Sequence, residues 1–484
     1  MSDTLMVSVS GMRGLVGKDL TPELVSRYAA ALGAWAGTGG TGKTGGDGLG
    51  RARVVLGRDA RTSGEMFARA ATAGLQSVGV EVIDVGLAPT PTVQMTVEYH
   101  HAGAGLILTA SHNPIEWNAL KFVGPDGIFL DADAGALVRA MAEAPSGPPR
   151  AGWDRIGQVR QDRDAISRHL DLILDLPEVD AQAIQSRRFT VALDCVRGAG
   201  GTTMPLLLER LGCEVAAINL ETDGLFPRPP EPLPENLGGL GRLVRESGAA
   251  VGIAVDPDVD RLAIVDDQGE AIGEDYTLAF AVRAVLGERR QDGWMAGPPG
   301  PASHPAIEPS SQPVVVANLS TSLVVEDAAR AVGARYLRAP VGEANVARMM
   351  RDEGAVVGGE GNGGVILPAL HIGRDAPLAA ALLLTLMART GRGVSELVQG
   401  APQYRIVKAK APRSDLHQAY AALKTKHRDA DADERDGLRL GWRDRWLHLR
   451  PSGTEPIVRL IAEAPTAAEA EALISETRAL LGAR

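Results

Sequence analysis

Val54-Val55-Leu56-Gly57-Arg58-Asp59 is an apolar run that stops abruptly at a polar turn, and its continuation decides the fold. A helical stretch is expected from Glu65 to Val78, then Gly79, then a second strand from Val80 to Val85. The same grammar returns at Val191 to Asp194, with a glycine turn at 198–201, a helix from Met204 to Leu211, Gly212 and a strand from Cys213 to Leu220. It returns again at Val314 to Ala317, with a Ser/Thr turn at 320–322, a helix from Leu323 to Val332, Gly333 and a strand from Ala334 to Arg338. Strand, turn, helix, glycine stop, strand is a βαβ unit. Three copies imply a domain duplicated twice, each copy an α/β layer structure.

The tail reads differently. After about Gln399 come a strand from Arg405 to Lys410, a helix near 416–423, short strands at 438–440 and 446–449, a strand from Ile457 to Ala462 and a helix from Ala467 to Leu481. This pattern predicts a smaller α+β fourth domain. The expected divisions are 1–152, 153–265, 266–398 and 399–484, around a central cleft, with a hinge near 399–403. Residues 37–50 and 287–313 are rich in Gly, Pro and Ser without periodicity, and are expected to be mobile surface insertions.

Length agrees: 484 residues suit three or four domains at roughly 100–200 residues each. The net charge of −10 and the lack of a long Lys/Arg block argue against a nucleic-acid partner, and 4% aromatics leave few stacking platforms for single strands. An anionic ligand must then be gripped by local arginines and backbone N–H groups. Cys195 and Cys213 lie in apolar runs and suggest neither a disulfide framework nor a zinc site. The N-terminus lacks a charged region before an apolar one, and no apolar run approaches 18 residues. A cytoplasmic protein without membrane attachment is expected.

Five short constellations carry the chemistry. Leu106-Ile107-Leu108-Thr109-Ala110-Ser111-His112-Asn113-Pro114 is a strand end and tight turn that projects Ser111 as a nucleophile, with His112 beside it as proton or charge partner. Lys121 comes next, in Asn118-Ala119-Leu120-Lys121, entering an apolar segment. In Val255-Asp256-Pro257-Asp258-Val259-Asp260-Arg261, three carboxylates alternate at i, i+2 and i+4, so an extended chain would set them on one face. Their repulsion calls for a cation, and hard oxygen ligands suit Mg²⁺; Arg261 is placed to grip a phosphoryl oxygen. Gly358-Gly359-Glu360-Gly361-Asn362-Gly363-Gly364 permits close backbone approach and offers acceptors for hydroxyls. Arg450-Pro451-Ser452-Gly453-Thr454-Glu455-Pro456 combines an Arg, hydroxyls and N–H groups into a phosphate nest, with Arg459 beyond it. Ser10-Gly11-Met12-Arg13-Gly14 and Gly57-Arg58-Asp59-Ala60-Arg61 bring arginines near tight turns. Each motif also has a bland reading as a turn, a cap or a solvated charge.

Their order along the chain resembles the α-D-phosphohexomutase superfamily, and the resemblance covers nearly the whole sequence. It implies three related α/β domains, carrying in turn a phosphoserine loop, a metal loop and a sugar loop, and a smaller α+β phosphate-binding domain. Carried over, it makes Ser111 the phosphoserine and gives Mg²⁺ to Asp256, Asp258, Asp260 and the Ser111 phosphate. Arg13 and Lys121 match positions near the reacting group, with Lys121 a candidate general base. Glu360 and Asn362 match sugar contacts, Gly342 and Glu343 a loop that reads the sugar, and Arg450, Ser452, Gly453 and Thr454 the grip on the non-reacting phosphate, which Arg459 is placed to assist. Many relatives have Gly-Glu-x-Ser-Gly-His in the sugar loop; Asn362 and Gly364 stand here instead, and nearby His371 is a candidate replacement for that histidine. The Asn-Gly-Gly form is similar to a subgroup of archaeal-type phosphoglucosamine and phosphomannose mutases.

The expected activity is exchange of hexose 6- and 1-phosphates through phosphorylated Ser111 and a hexose 1,6-bisphosphate. Glucosamine phosphate is favoured, with phosphomannomutase or phosphoglucomutase as the near alternative. The acting form is expected to be a monomer or homodimer. A catalytically silent sugar-phosphate sensor and a metal-dependent phosphatase are the readings from other classes.

Overall fold

A computed structural model describes residues 5–8, 11–39, 52–287, 312–412, 416–451 and 457–481. Residues 40–51 and 288–311, which make up most of the two expected insertions, lie outside the described residues, as do Ser10, Ser452, Gly453 and Thr454. The chain forms two compact units, one of residues 1–274 with 364–395 and one of residues 275–363 with 396–484. Among the described residues no helix is long and apolar enough to cross a membrane.

The first unit holds two sheets. In the larger, strands lie in the order Met6–Ser8, Gly11–Leu15, Trp117–Val123, Ala104–Leu108, Arg53–Arg58, Glu81–Leu87, Val159–Gln161. The last four run parallel, as the βαβ reading expects, and the first three join antiparallel. Helix Pro22–Ala36 starts where Thr21 accepts the Leu24 N–H and Pro22 has no N–H that needs an acceptor. It packs with Gly64–Gln76 over an apolar core that includes Leu32, Leu56, Phe67, Leu75 and Leu106. The second sheet orders Leu262–Val265, Val251–Val255, Thr190–Asp194 and Glu214–Ile218, with 251–255 and 262–265 as an antiparallel pair. Strand Gly364–Ile366 and the buried helix Ala376–Thr390 return the chain to this unit.

The second unit repeats the grammar once: Val314–Asn318 pairs in parallel with Arg335–Ala339 on one side and Val357–Glu360 on the other. Its tail is a five-stranded antiparallel sheet in the order Arg405–Pro412, Ile457–Ala464, Trp446–Pro451, Leu438–Gly441, Asp431–Asp433. One face, with Val458, Leu460, Leu447 and Leu449, forms a core with Leu423, Leu473 and Ile474 of helices Leu416–Lys426 and Ala467–Leu480. The three repeat glycines that stop helices, Gly79, Gly212 and Gly333, sit at φ +85°, +73° and +70°. A side chain there would be strained, which is why glycine ends each helix.

The expected hinge near 399–403 lies inside the second unit. There the tail sheet is joined to 319–323 by buried polar bonds. Glu463 accepts from Ser322 Oγ, from Leu323 N at 2.8 Å and from Trp446 Nε1 at 2.6 Å, and Arg439 Nε donates to Leu319 O at 3.0 Å. A swing about 399–403 has to break this set, and each buried group left unpaired costs about 1–3 kcal/mol.

Candidate active site

The serine loop grows from a central strand. Ala104–Leu108 is buried throughout and ends at Thr109, whose hydroxyl donates to Asp59 Oδ2 at 2.6 Å and accepts from Ser111 N at 2.9 Å. Asn113 N then donates to Ala110 O and closes the turn. Arg61, fully buried, supports the turn from beneath. Its guanidinium donates to the carbonyls of Ser111, Asn113 and Pro114 at 2.6 Å each and of Trp117 at 2.9 Å, and to Asp59 Oδ2 at 3.1 Å. Burial pushes the Asp59 carboxyl up, against the pull of Arg61 and Thr109. Removing one member of such a buried pair costs about 3–5 kcal/mol. The clamp holds Ser111 at φ +48°, a conformation that a non-glycine residue keeps only when its surroundings impose it.

The acidic loop joins the antiparallel strands Val251–Val255 and Leu262–Val265. It is a turn rather than the extended chain that alternation suggests: Val259 takes φ +62°, and its N–H donates to Asp256 O. The turn still brings the three carboxylates together. Asp256, Asp258 and Asp260 are fully buried, each with an oxygen within 4.8 Å of the others. Ser111 Oγ lies 2.8 Å from Asp256 Oδ2. Asp256 Oδ1 accepts the N–H groups of Asp260 and Arg261, whereas Asp258 Oδ1 and Asp260 Oδ1 are buried without a hydrogen-bond partner. Burial first, then Asp260 and Asp258, hold the Asp256 carboxyl well above the usual carboxylate range. Asp258 stays well below it, because Lys121 outweighs the burial that opposes its charge. Crowded acids with two orphaned oxygens beside a hydroxyl are what a hard, oxygen-loving cation would satisfy.

Cations surround this centre. Gly11 takes φ +148°, and a Cβ there would meet Leu120 O at 1.9 Å, so only glycine lets strand Gly11–Leu15 approach Trp117–Val123. That pairing brings Arg13 and Lys121 onto adjacent strands. Lys121 Nζ lies 2.7 Å from Asp258 Oδ2 and 3.8 Å from Asp260 Oδ2. Burial works against its charge, but Asp258 and Asp260 win and hold the ammonium above its ordinary value. Lys121 therefore stands as a proton-bearing cation rather than a ready base. Arg13 donates to Asn113 Oδ1 at 2.6 Å; burial pulls its guanidinium down, with Asp258 opposing. Arg261 is 3.7 Å from Asp260 Oδ1 and 3.6 Å from Glu231 Oε1. His112 Nδ1 is 3.3 Å from Ser111 Oγ, and burial together with Arg261 and Arg13 presses its pKa down to about 2, so the ring is neutral.

Sequence reasoning missed three participants. Thr90 Oγ1 donates to Asp258 Oδ2 at 2.8 Å, Arg374 donates to Asp260 Oδ2 at 2.5 Å, and Arg61 builds the serine turn. Arg61 lies within a motif already singled out and Arg374 three residues after His371, but their partners are distant in sequence. His371 is buried, and its Nε2 lies 3.0 Å from Asp375 Oδ2 in the first unit, so this ring nitrogen is engaged in the core.

The remaining candidates belong to the second unit. Gly342, at φ +119°, precedes helix Glu343–Glu353, and its N–H donates to Glu360 Oε1 at 3.0 Å. Asn318 Nδ2 donates to the same oxygen at 2.8 Å, so the loop with Glu343 and the strand end with Glu360 are fixed together. Asn362 is half-buried in the turn after Glu360. Arg450 and Arg459 are register partners on adjacent strands, flanking residues 452–456. Asp436 Oδ2 accepts from Arg450 at 3.2 Å and from Val341 N at 3.1 Å, linking the Gly342 loop to the arginine. Arg450 Nε is buried without a hydrogen-bond partner. Two arginines opposite one another, one with an orphaned donor, suit an anion.

Four family models match in sequence: phosphoglucomutase/phosphomannomutase alpha/beta/alpha domain I at residues 5–146, domain II at 167–269, domain III at 302–404 and the C-terminal domain at 406–480. A Thermococcus kodakarensis protein named phosphoglucomutase/phosphomannomutase is 36% identical over 94% of this chain and 93% of its own. A Methanopyrus kandleri protein named probable phosphoglucosamine mutase is 36% identical over 96% and 95%. Among solved structures, a phosphoglucomutase/phosphomannomutase family protein from Burkholderia thailandensis superposes with a TM-score of 0.80 at 24% identity, covering 98% of each chain, a likeness of fold. With three α/β domain models and the C-terminal one matched in order, and with relatives of this similarity along nearly its full length, the chain belongs to the phosphoglucomutase/phosphomannomutase family of α-D-phosphohexomutases.

Proposed function

We propose that this phosphohexomutase interconverts glucosamine 6-phosphate and glucosamine 1-phosphate, with phosphorylated Ser111 as carrier and a hexose 1,6-bisphosphate as intermediate. The observation that carries the carrier role is Ser111 Oγ at 2.8 Å from Asp256, inside a buried all-carboxylate cluster. The choice of sugar rests on the Methanopyrus kandleri relative's name and on the Arg-Pro-Ser-Gly-Thr-Glu-Pro form at 450–456. Phosphomannomutase/phosphoglucomutase activity, the name of the Thermococcus kodakarensis relative, is the second reading.

In the proposed reaction a sugar hydroxyl attacks the phosphorus on Ser111. A new P–O bond forms to the sugar as the bond to Ser111 Oγ breaks. Lys121 enters charged, gives its proton to the departing serine oxygen and, as the amine, takes up the hydroxyl proton. Arg13 and Arg261 stabilise charge on the moving group, the main demand of phosphoryl transfer, and neutral His112 borders the serine oxygen. Mg²⁺ would be held by Asp256, Asp258, Asp260 and phosphorylated Ser111, and supplies neutralising charge to phosphoryl oxygens when bound. Gly342, Glu343, Glu360 and Asn362 are assigned to the sugar. Arg450, Ser452, Gly453, Thr454 and Arg459 are assigned to the non-reacting phosphate. The bisphosphate then reverses, and its other phosphoryl group returns to Ser111.

The proposed domains are 1–152, 153–265, 266–398 and 399–484, in support of which stand the matched ranges. The enzyme is placed in the cytoplasm, acting on a small sugar phosphate as monomer or homodimer, without nucleic acid or membrane. Relative kcat/KM on glucosamine, mannose and glucose 6-phosphates tests the sugar. The highest value is expected for glucosamine 6-phosphate; a higher one for mannose or glucose overturns that choice.

A further inference from the structure

Bonded to the acidic loop at 258–260 is a buried set of side chains that the proposed reaction does not use. His169 Nε2 and His371 Nε2 both meet Asp375 Oδ2, at 2.7 and 3.0 Å. A carboxylate oxygen only accepts, so both rings place N–H at Nε2. The other ring nitrogen of His169, Nδ1, is hydrogen-bonded with Thr92 Oγ1 at 2.9 Å. The second carboxylate oxygen of Asp375 accepts Leu378 N at 2.8 Å and caps helix Ala376–Thr390. Thr92, His169, His371 and Asp375 are all nearly or fully buried.

Both ends of this chain of bonds continue into the acidic loop. From Asp375, one residue back, Arg374 donates to Asp260 Oδ2 at 2.5 Å; one residue on, Ala376 N donates to the carbonyl of Val259 at 3.3 Å. From Thr92, two residues back on the same helix, Thr90 donates through its hydroxyl to Asp258 Oδ2 at 2.8 Å and through its N–H to Asp258 O at 2.9 Å. The loop is thus held at 258, 259 and 260 by two arms, and the His169–Asp375 bond ties the arms together. Val259 at φ +62° is a β-branched residue in a conformation it disfavours, so it needs such support.

We propose that Asp375, fixed by His169 and His371, is a positioning residue that holds Asp258 and Asp260 in cation-binding geometry. This rests on the reading of the acidic loop as the cation site. Partners that orient metal ligands typically matter about 10–100-fold in metal affinity.

The test is Mn²⁺ binding to the full-length protein, followed by calorimetry, with steady-state kinetics alongside. Wild-type protein that binds no Mn²⁺ overturns the cation reading itself. With wild-type binding established, His169→Ala is expected to weaken Mn²⁺ about tenfold and to lower kcat while leaving KM for the hexose phosphate unchanged. His169→Gln, whose amide can still donate to Asp375, is expected to recover most of the affinity. His169→Ala with affinity within about twofold of wild type overturns the positioning role alone, as does a His169→Gln no better than His169→Ala. Should His169→Ala fail to fold, the near-isosteric Thr92→Val decides: a loss of about threefold or more supports the role, and a smaller one overturns it.

Discussion

Ser111 Oγ and Asp256 Oδ2 stand 2.8 Å apart although 145 residues separate them. A hydroxyl in that place is either a phosphoryl carrier or a structural donor, and substitution separates the two. Ser111→Ala removes the hydroxyl's bonds to Asp256 and His112, about 1 kcal/mol each, and keeps the turn that Arg61 templates. Mutase turnover is expected to vanish while circular dichroism is unchanged, and the peptide containing residue 111 is expected to lose the phosphoryl mass carried by the wild type. Full turnover by the variant, in a preparation free of other mutases, refutes the carrier role.

Asp256→Asn tests the cation site through stability. In the absence of cation, burial and its two acidic neighbours keep Asp256 above the carboxylate range, so the neutral amide is a close substitute. Metal-free stability should change by less than about 1 kcal/mol. A ligand that binds only the folded state raises the thermal midpoint. Mg²⁺ is therefore expected to raise the wild-type midpoint and to leave that of Asp256→Asn in place. An equal rise in both argues against Asp256 as a ligand.

Local pattern carried the fold far. The glycines after each repeat helix mark left-handed stops that only glycine takes easily, so the strand–helix–strand units stood at nearly their observed places. The antiparallel additions were not legible: Gly11–Leu15 joins Trp117–Val123 because Gly11 lacks a Cβ, a fact about a distant carbonyl. The same limit governed the site. Asp256, Asp258 and Asp260 announced themselves as a cluster, but alternation suggested an extended strand where Val259 turns left-handed. Arg61, Arg374 and Asp436 act through partners far along the chain, and a sequence alone does not show which carbonyl or carboxylate an arginine will meet. His371 was singled out by nearness to the sugar loop, whereas Asp375, four residues on, captures its ring.

His448 provides a pH test of the second unit. Its Nε2–H donates to Asp436 O at 2.7 Å and its Nδ1 accepts from Ser320 at 2.8 Å, an arrangement for the neutral ring. Burial lowers its pKa from 6.5 to about 4. The unfolded chain thus takes up a proton first as pH falls. The stability from keeping this ring neutral is whole above pH 6.5 and is lost on the way down to about 4, on the order of 3 kcal/mol in full. In His448→Gln, which cannot titrate, the decline of the urea midpoint over that window should be visibly shallower than in the wild type. Parallel declines would mean the ring does not stay neutral in the fold.

Arg459→Gln tests the grip proposed for the non-reacting phosphate. Arg459 is exposed on its strand and is the register partner of Arg450 on the adjacent strand, beside residues 452–456. Loss of one exposed charge should shift stability by no more than about 0.5 kcal/mol. A charge-assisted contact to a phosphate contributes about 1.5–3 kcal/mol, so KM for the hexose monophosphate should rise by roughly tenfold or more. Because that phosphate does not react, its grip serves ground state and transition state alike, and kcat at saturation should hold. A variant with unchanged KM and a collapsed kcat would move Arg459 from substrate binding to the transfer step.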